Sequence, residues 1–324
     1  MSLRVVDLFS GCGGLSLGLK NAGFDVVAAY DSWDVAVKCY NANFTHAAQA
    51  MDLTKPRPCA QAIDALNPDI IAGGPPCQDF SHAGKRLEGE RASLTSSFAS
   101  IVQLVRPAWF IMENVDRARG SKSYALARRT FKSAGYGLTE RTLNACFCGV
   151  PQARKRFFCI GGLGSRDDSL GALLDGRIRS APMTVRQYLK SDISVQFYYR
   201  HPRNYSRRAI YSVDEPAPTM RGMNRPVPKG YPGHPGDAAP ITSELRPLST
   251  LERARIQTFP KTFRWIGTKT EVEQMIGNAV PVELASYVGK ALFDYVNGNT
   301  RDDEEVQSST IRDKDQYLWP LNQA

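Results

Sequence analysis

From Leu3 to about residue 160 the chain alternates short apolar runs with amphipathic stretches, and this rhythm restricts the fold more than any other feature. "LRVVDLF", "FDVVAAY", "DIIAGG", "AWFIMENV" and "RFFCIGG" are apolar runs of strand length, as expected of strands buried on both faces. Between them, Leu15 to Ala22, "VAVKCYNANF", "SFASIVQLV" and "YALARRTFKSA" carry apolar residues at helical spacing. Strands alternating with helices build βαβ units, so the expected fold class is α/β, with a doubly wound, mostly parallel, Rossmann-like sheet. Beyond Gly164 the rhythm breaks: residues 191–245 are rich in Pro, Gly, Arg and Tyr and have no helical period. Helical spacing resumes in "STLERARIQTF" and "VELASYVGKALFDYV". The expected organisation is a first domain over 1–180, a smaller irregular domain over 181–260, a return to the first over 261–297 and a polar tail over 298–324.

The turn after the first strand, "DLFSGCGGLSLGL", sets Gly11, Gly13 and Gly14 where a strand hands over to a helix. Glycines there let a ligand lie against the backbone, and the helix start offers free N–H groups. A dinucleotide fingerprint would need G-x-G-x-x-G, but Ser16 stands at the last glycine position, which disfavours a nicotinamide cofactor and an oxidoreductase. Asp31 ends the second strand twenty residues after Gly11, the separation at which a carboxylate takes ribose hydroxyls. This suits an adenosine-containing ligand; a glycine-rich turn without a ligand is the competing reading.

A second strand-end loop, "GGPPCQDFS", holds Cys77 behind Pro75 and Pro76, which restrict the backbone before it. A lone cysteine is more often a buried, inert one, but a stiff loop at a strand end can present a thiol to a pocket. The seven cysteines form no C-x-x-C pair and there are only four histidines, so no metal site is expected. No apolar run approaches the roughly 18 residues of a membrane span, and the N-terminus lacks a signal-peptide pattern, so a soluble cytoplasmic protein without a membrane partner is expected.

The net charge of +9 is localised: Met183 to Arg264 holds fourteen Lys and Arg against six Asp and Glu. In "QFYYRHPRNYSRRAIYS" aromatics are interleaved with the cations, which favours nucleic acid over a merely solvated basic face.

Taken together, these blocks resemble the DNA (cytosine-5) methyltransferases, of the short single-chain type found in bacteria and phages. "DLFSGCGG" resembles that family's cofactor motif, "GGPPCQDFS" its nucleophile motif, "ENV" at Glu113 to Val115 its acidic motif and "QARKRFF" at Gln152 to Phe158 its Q-x-R-x-R motif. "RPLSTLERARIQTFP" and "IGNAVP" resemble its last two, and the six blocks run in the family's order along almost the whole chain.

The resemblance implies methyl transfer from S-adenosyl-L-methionine to carbon 5 of a cytosine flipped out of double-stranded DNA, with no metal. It implies that Cys77 is the nucleophile that adds to carbon 6, that Glu113 holds ring nitrogen 3 and the exocyclic amine, and that Arg156 reaches the cytosine carbonyl. Arg154 would contact phosphates or the closing loop, and by strand alternation it would share a face with Arg156. For the cofactor the resemblance implies Phe9 on the adenine, Asp52 on its amine and Asn278 on the methionine part. Gly11, Gly13, Gly14, Asp31, Ser32, Pro76 and Ala279 would complete that site. Gln78, Ser81, Lys85 and Arg86 in the loop after Cys77, with Thr219 and Arg221 in the basic segment, would contact the nucleic acid. The 181–260 segment would then be a target-recognition domain. The compact build suggests a monomer serving as the modification component of a restriction-modification system beside a cognate endonuclease. A transfer RNA (cytosine-5) methyltransferase and a non-catalytic DNA binder are the alternatives; the large segment before "RPLST" argues against the first, and the intact Cys77, Glu113, Arg154 and Arg156 against the second.

Overall fold

A computed structural model describes residues 2–76 and 93–298. The polar tail from 299 on and the loop that carries Cys77 therefore lie outside the described residues.

The first half winds as the apolar rhythm requires. β1 (Arg4–Leu8), α1 (Gly14–Asn21), β2 (Asp25–Asp31), α2 (Asp34–Asn41), β3 (Ala48–Ala50), α3 (Pro56–Asp64) and β4 (Ile70–Gly73) alternate without a break. They are followed by α4 (Ser93–Val105), β5 (Trp109–Val115), α5 (Lys122–Ser133), β6 (Tyr136–Asn144), β7 (Gln152–Ala153) and β8 (Lys155–Leu163). Seven strands form one sheet in the order β3-β2-β1-β4-β5-β8-β6. All pairings are parallel except those of β8, which runs antiparallel to both β5 and β6. This confirms the Rossmann-like, mostly parallel sheet.

The order reverses at β1 and β4, so the loops after these neighbouring strands open at one edge, where open α/β sheets hold their ligands. The turn with Gly11 follows β1, and Gly74 and Pro75 follow β4. Two apolar layers cover the sheet. One packs Val5, Ile70, Ile111 and Ile160 against helix residues such as Leu15, Leu19, Leu284 and Val288. The other packs Val6, Ile71, Phe110 and Phe157 against Phe98, Ile101 and Phe131.

The remaining elements are α6 (Gly171–Asp175), α7 (Val185–Leu189), β9 (Phe197–Tyr199), β10 (Ile210–Ser212), β11 (Ala217–Pro218), α8 (Thr250–Ile256), α9 (Lys269–Asn278) and α10 (Val282–Val296). From 181 to 249 the chain has only short pieces, including the antiparallel pair β9–β10. Their small cores gather Val185, Tyr198, Val213 and Leu248 in one cluster and Tyr199, Ile210 and Tyr231 in another. α8 and α9 open with capping boxes, Ser249 with Glu252 and Thr268 with Glu271, which satisfy free N–H groups of the first turn. α8 faces two ways: Ala254 joins Phe259, Met275 and Tyr40 beneath the first helices, while Ile256 joins the core around Val185 and Leu248. α10 returns to the sheet and lies on α1 so closely that a Cβ on Gly18 would come within 2.4 Å of the Ala285 side chain.

Candidate active site

β1 delivers Phe9 with φ 58° and Gly11 with φ 54°, so the turn bends through the left-handed region before α1 begins. The three glycines of this turn do different work. A Cβ on Gly11 would meet nothing within 4 Å, whereas one on Gly13 would strike the Phe44 and Tyr40 rings. One on Gly14 would lie 2.4 Å from the Val280 carbonyl. Open space therefore lies only beside Gly11. At Gly13 and Gly14 a side chain is excluded by the protein packed on them.

Asp31 lines the same turn. Its Oδ2 accepts the Gly11 N–H at 2.8 Å and its Oδ1 the Trp33 N–H at 2.8 Å, and burial still holds the carboxyl above the usual range. Spare lone pairs on both oxygens remain for ribose hydroxyls. Ser32 sits between, on the exposed rim. Asp52, beyond β3, is exposed; Thr54 accounts for the contacts of its Oδ1, at 3.1 Å from the backbone N–H and 2.6 Å from the hydroxyl. Those hydrogen bonds hold the Asp52 carboxyl low. Asn278 ends α9 as an exposed side chain without a hydrogen-bond partner among the described residues, and Ala279 follows it against Gly14. Beneath the turn, Ser10 Oγ is buried with no partner. Open space at Gly11, a fixed carboxylate at Asp31 and unclaimed polar groups at Ser10 and Asn278 fit an adenosine ligand with a charged amino-acid end.

One strand beyond β4, near the end of β5, stands Glu113, whose Oε1 is 2.8 Å from Arg156 Nε on β8. In the antiparallel register Glu113 faces Phe158, two residues from Arg156, so the pair is a diagonal on one face. Both groups are nearly buried. Burial pushes the Glu113 carboxyl up against the opposing pull of Arg156 and Arg154, and burial pulls Arg156 down. Arg156 spends Nη1 on the Lys155 carbonyl at 2.8 Å, leaving Nη2 without a partner among the described residues. On the far side of Glu113 the backbone of Gly74 comes so close that a Cβ there would be 3.0 Å from Oε2. Asn114 Nδ2 donates to the Pro75 carbonyl at 3.0 Å, tying the strand-end loop to β5. Pro75 is buried and Pro76 exposed. Description of this loop stops there: Cys77, Gln78, Ser81, Lys85 and Arg86 lie outside the described residues.

Arg154 departs from its expected place. It does not alternate with Arg156 on a strand; it stands in a break between β7 and β8. Its side chain is 1% exposed, and its guanidinium donates to the carbonyls of Met220 at 3.0 Å, Gly277 at 3.0 Å and Ala279 at 3.2 Å. A phosphate has no route to a side chain so enclosed. β7 leaves the main sheet to pair with β11, and that diversion carries Arg154 into the seam between the catalytic sheet and the later segments.

The seam has two further members that sequence reasoning did not single out. Gln152 Nε2 donates to Gln257 Oε1 at 2.7 Å, and Gln152 Oε1 accepts the Met220 N–H at 2.8 Å. Gln257 Nε2 donates in turn to the Ile276 and Ala279 carbonyls. Both glutamines were inside quoted blocks, but only their burial shows that they are cross-links. Thr219 Oγ1 donates to the Ala153 carbonyl at 3.0 Å, which ties it to β7, directly before Arg154. Arg221 is half-buried and donates to the His201 carbonyl.

With this geometry in place, a family model described as C-5 cytosine-specific DNA methylase matches residues 3–294. The chain belongs to that family. It is 50% identical over 295 residues to the Type II methyltransferase M.HindV of Haemophilus influenzae, spanning 90% of this chain and 97% of that protein. It is also 50% identical over 296 residues to the Type II methyltransferase M.HgiDI of Herpetosiphon aurantiacus, spanning 91% and 96%. Among solved structures, Dnmt2 methyltransferase of S. pombe superposes with a TM-score of 0.68 at 20% identity, over 92% of this chain and all of that one. A putative DNA modification methyltransferase encoded within an E. coli prophage gives 0.67 at 24% identity, over 91% and 100%. The methylase assignment agrees with the site: a glycine turn with room at one position after β1, and a buried carboxylate paired to an arginine on β5, two strands away. No helix of the described residues is long and apolar enough to cross a membrane, and no cluster of metal-ligating side chains occurs among them.

Proposed function

We propose that this DNA methylase acts on double-stranded DNA as a sequence-specific DNA (cytosine-5-)-methyltransferase and protects sites from a cognate endonuclease. The observation that carries the reading is the buried Glu113–Arg156 pair set against Gly74 and Pro75, directly before Cys77. Its partner feature is the turn at Gly11 after β1, the strand that adjoins β4 on its other side.

In this reading the Cys77 thiolate adds to carbon 6 of a flipped cytosine, and the ring becomes electron-rich at carbon 5. Glu113, raised by burial, is suited to share a proton with ring nitrogen 3 as charge builds there, and to accept from the exocyclic amine. Arg156 orients Glu113 and has Nη2 to offer the base carbonyl. Burial makes this pairing directional, because water does not compete for the carboxylate. S-adenosylmethionine, when bound, supplies the electrophilic methyl group that carbon 5 attacks. Phe9, Gly11, Asp31, Ser32, Asp52, Pro76, Asn278 and Ala279 would hold it, with Gly13 and Gly14 shaping the turn through packing. Arg154 acts as a positioning residue that ties the Met220, Gly277 and Ala279 backbone to the start of β8. The 181–260 segment would read the DNA, and one copy suffices because a single chain contributes every group named.

Bisulfite sequencing of DNA from a methylation-free host expressing the chain tests this. Protected cytosines confined to one short motif are expected. Unprotected DNA from folded, cofactor-supplied protein, with tritium passing from labelled S-adenosylmethionine to transfer RNA instead, would overturn it.

A further inference from the structure

The turn at Gly11 is closed at its neck by two buried side chains, Asp7 on β1 before it and Ser16 on α1 after it, with Asp7 Oδ2 2.5 Å from Ser16 Oγ. Ser16 Oγ is 2.8 Å from the Tyr40 hydroxyl on α2, and that hydroxyl is 2.6 Å from Nε2 of His46, in the loop before β3. The Tyr40 ring lies against the turn itself: a Cβ on Gly13 would come within 2.9 Å of it. Four polar groups thus run in one unbroken line from the interior to a half-buried histidine, and the methyl-transfer chemistry uses none of them.

The three links of this line need three hydrogens. The two hydroxyls carry one each and turn either way, so the third comes from one end or the other. Asp7 supplies it as a carboxylic acid, with the links running outward to a bare His46 Nε2. Alternatively His46 supplies it as Nε2–H, with the links running inward to an Asp7 carboxylate. The state of the buried carboxyl is therefore written in the hydrogen on His46 Nε2.

The surroundings of Asp7 favour the acid while the turn is empty. Its neighbours on the flanking strands are Ala29 and Ala72, and its Oδ1 is buried without a partner. A carboxylate so placed is costly without a cation. Burial, with the Asp31 charge on β2 adding to it, raises the Asp7 carboxyl to about 7 against the pull of Ser16. At the outer end, burial and the Lys20 charge lower His46, with Asp25 opposing them. Asp31 is itself fixed to the Gly11 N–H, so two carboxyls border one turn, and a positive ligand there lets both ionise.

We propose that a cationic cofactor entering the Gly11 turn drives the Asp7 proton out along Ser16, Tyr40 and His46 to solvent, so that the turn holds a sulfonium more tightly than the neutral thioether left after methyl transfer. The proton balance closes in both directions. Asp7 gives its hydrogen to Ser16, each hydroxyl passes one on, His46 Nε2 gains one, and the ring releases its Nδ1 hydrogen to water. Once the sulfur is neutral, the line reverses, Asp7 regains a proton from solvent, and the hold on the spent cofactor relaxes. The proposal rests on S-adenosylmethionine being the cofactor.

The test uses the full-length chain with S-adenosylmethionine and S-adenosylhomocysteine, without DNA. Calorimetric titration at about pH 6, below the Asp7 value, in buffers of different ionisation enthalpy counts the protons released on binding. The wild type should release up to about one proton more with the sulfonium than with the thioether, and its preference for the sulfonium should grow by up to about tenfold per pH unit there. Asp7→Asn should abolish that difference, while titration of the ligand's own amine persists in both proteins and drops out of the comparison. Nitrogen NMR of labelled imidazoles follows the other end: the chain has four histidines, and His46→Gln identifies the signal. Nε2 of His46 should gain its hydrogen on adding the sulfonium and not on adding the thioether. Tyr40→Phe keeps the ring against Gly13 and cuts the line, so this response should vanish. Equal proton release with both ligands in the wild type overturns the proposal, as does a His46 signal that ignores the ligand, responds equally to both or still responds in Tyr40→Phe. A wild type that binds neither ligand fails at the cofactor reading itself, before any variant is compared.

Discussion

Replacing Asp7 by Asn should change how the stability of the protein depends on pH. Asp7 lies within β1, fully buried, and its Oδ2 accepts from Ser16 Oγ at 2.5 Å. Ser16 Oγ accepts from the Tyr40 hydroxyl at 2.8 Å, and that hydroxyl lies 2.6 Å from His46 Nε2. Asp7 Oδ1 has no partner. Burial, with a smaller push from the Asp31 charge, raises the Asp7 carboxyl from its ordinary 3.8 to about 7 against the pull of Ser16. In the unfolded chain this group loses its proton above about pH 4, whereas the folded chain keeps it until about pH 7. The stability it confers is complete below the unfolded value, falls as pH rises through the window, and is gone above the folded value. At about 1.36 kcal/mol per pH unit over this window, the loss is roughly 4 kcal/mol. Asp7→Asn cannot ionise, so whatever its amide costs in the unpaired Oδ1 place is the same at every pH. Urea unfolding of both proteins from pH 4 to 8 separates the two effects. The wild type should lose roughly 4 kcal/mol relative to the variant between pH 4 and pH 8. Parallel pH profiles would refute the reasoning and show that Asp7 is ionised in its buried site throughout.

Three further outcomes are expected. Cys77→Ala should abolish methyl transfer in a tritium assay while duplex binding by anisotropy survives; retained turnover would overturn the nucleophile assignment. Gly14→Ala forces a Cβ to 2.4 Å from the Val280 carbonyl, so it should lower unfolding free energy by about 1–3 kcal/mol in urea, and an unchanged midpoint would contradict the packing. Gln152→Ala and Gln257→Ala should each cost about 1–3 kcal/mol, because each strands buried partners, and the double variant should cost clearly less than the sum in the same urea assay. Strict additivity would show that the two amides do not act as one link.

The central strands were legible because they are buried on both faces: β1, β4, β5 and most of β8 are buried nearly end to end and mostly apolar. β6 was not, because it closes the sheet edge and places Glu140, Arg141 and Thr142 half in water, where "YGLTERTLN" has no apolar run to reveal it. β3 is three residues long with two exposed, and α3 begins on a proline. At the site, the position of Glu113 at a strand end was readable from "AWFIMENV". The division of labour among Gly11, Gly13 and Gly14 was not, because it depends on Phe44 and Val280, which approach from elsewhere in the chain. Arg154 was misplaced for the same kind of reason. Alternation assumes one continuous strand, and the pairing of β7 with β11, some sixty residues later, breaks that strand at Arg154. Ser16 shows the opposite case: it occupies the third glycine position of a dinucleotide fingerprint, and its hydroxyl serves Asp7.

The guanidinium of Arg154 rests on carbonyls that are synthesised more than a hundred residues after it. A chain still emerging from the ribosome therefore owns Cys77, Glu113 and Arg156 long before it owns the carbonyls of Gly277 and Ala279 that brace the strand carrying Arg156. A product cut short before α9 would carry these residues without the carbonyls that brace β8, and it would also lack α10, which covers α1 under the Gly11 turn. The brace on β8 is thus completed by the last two helices of the fold, and the strand that carries Arg156 is held from both ends of the chain.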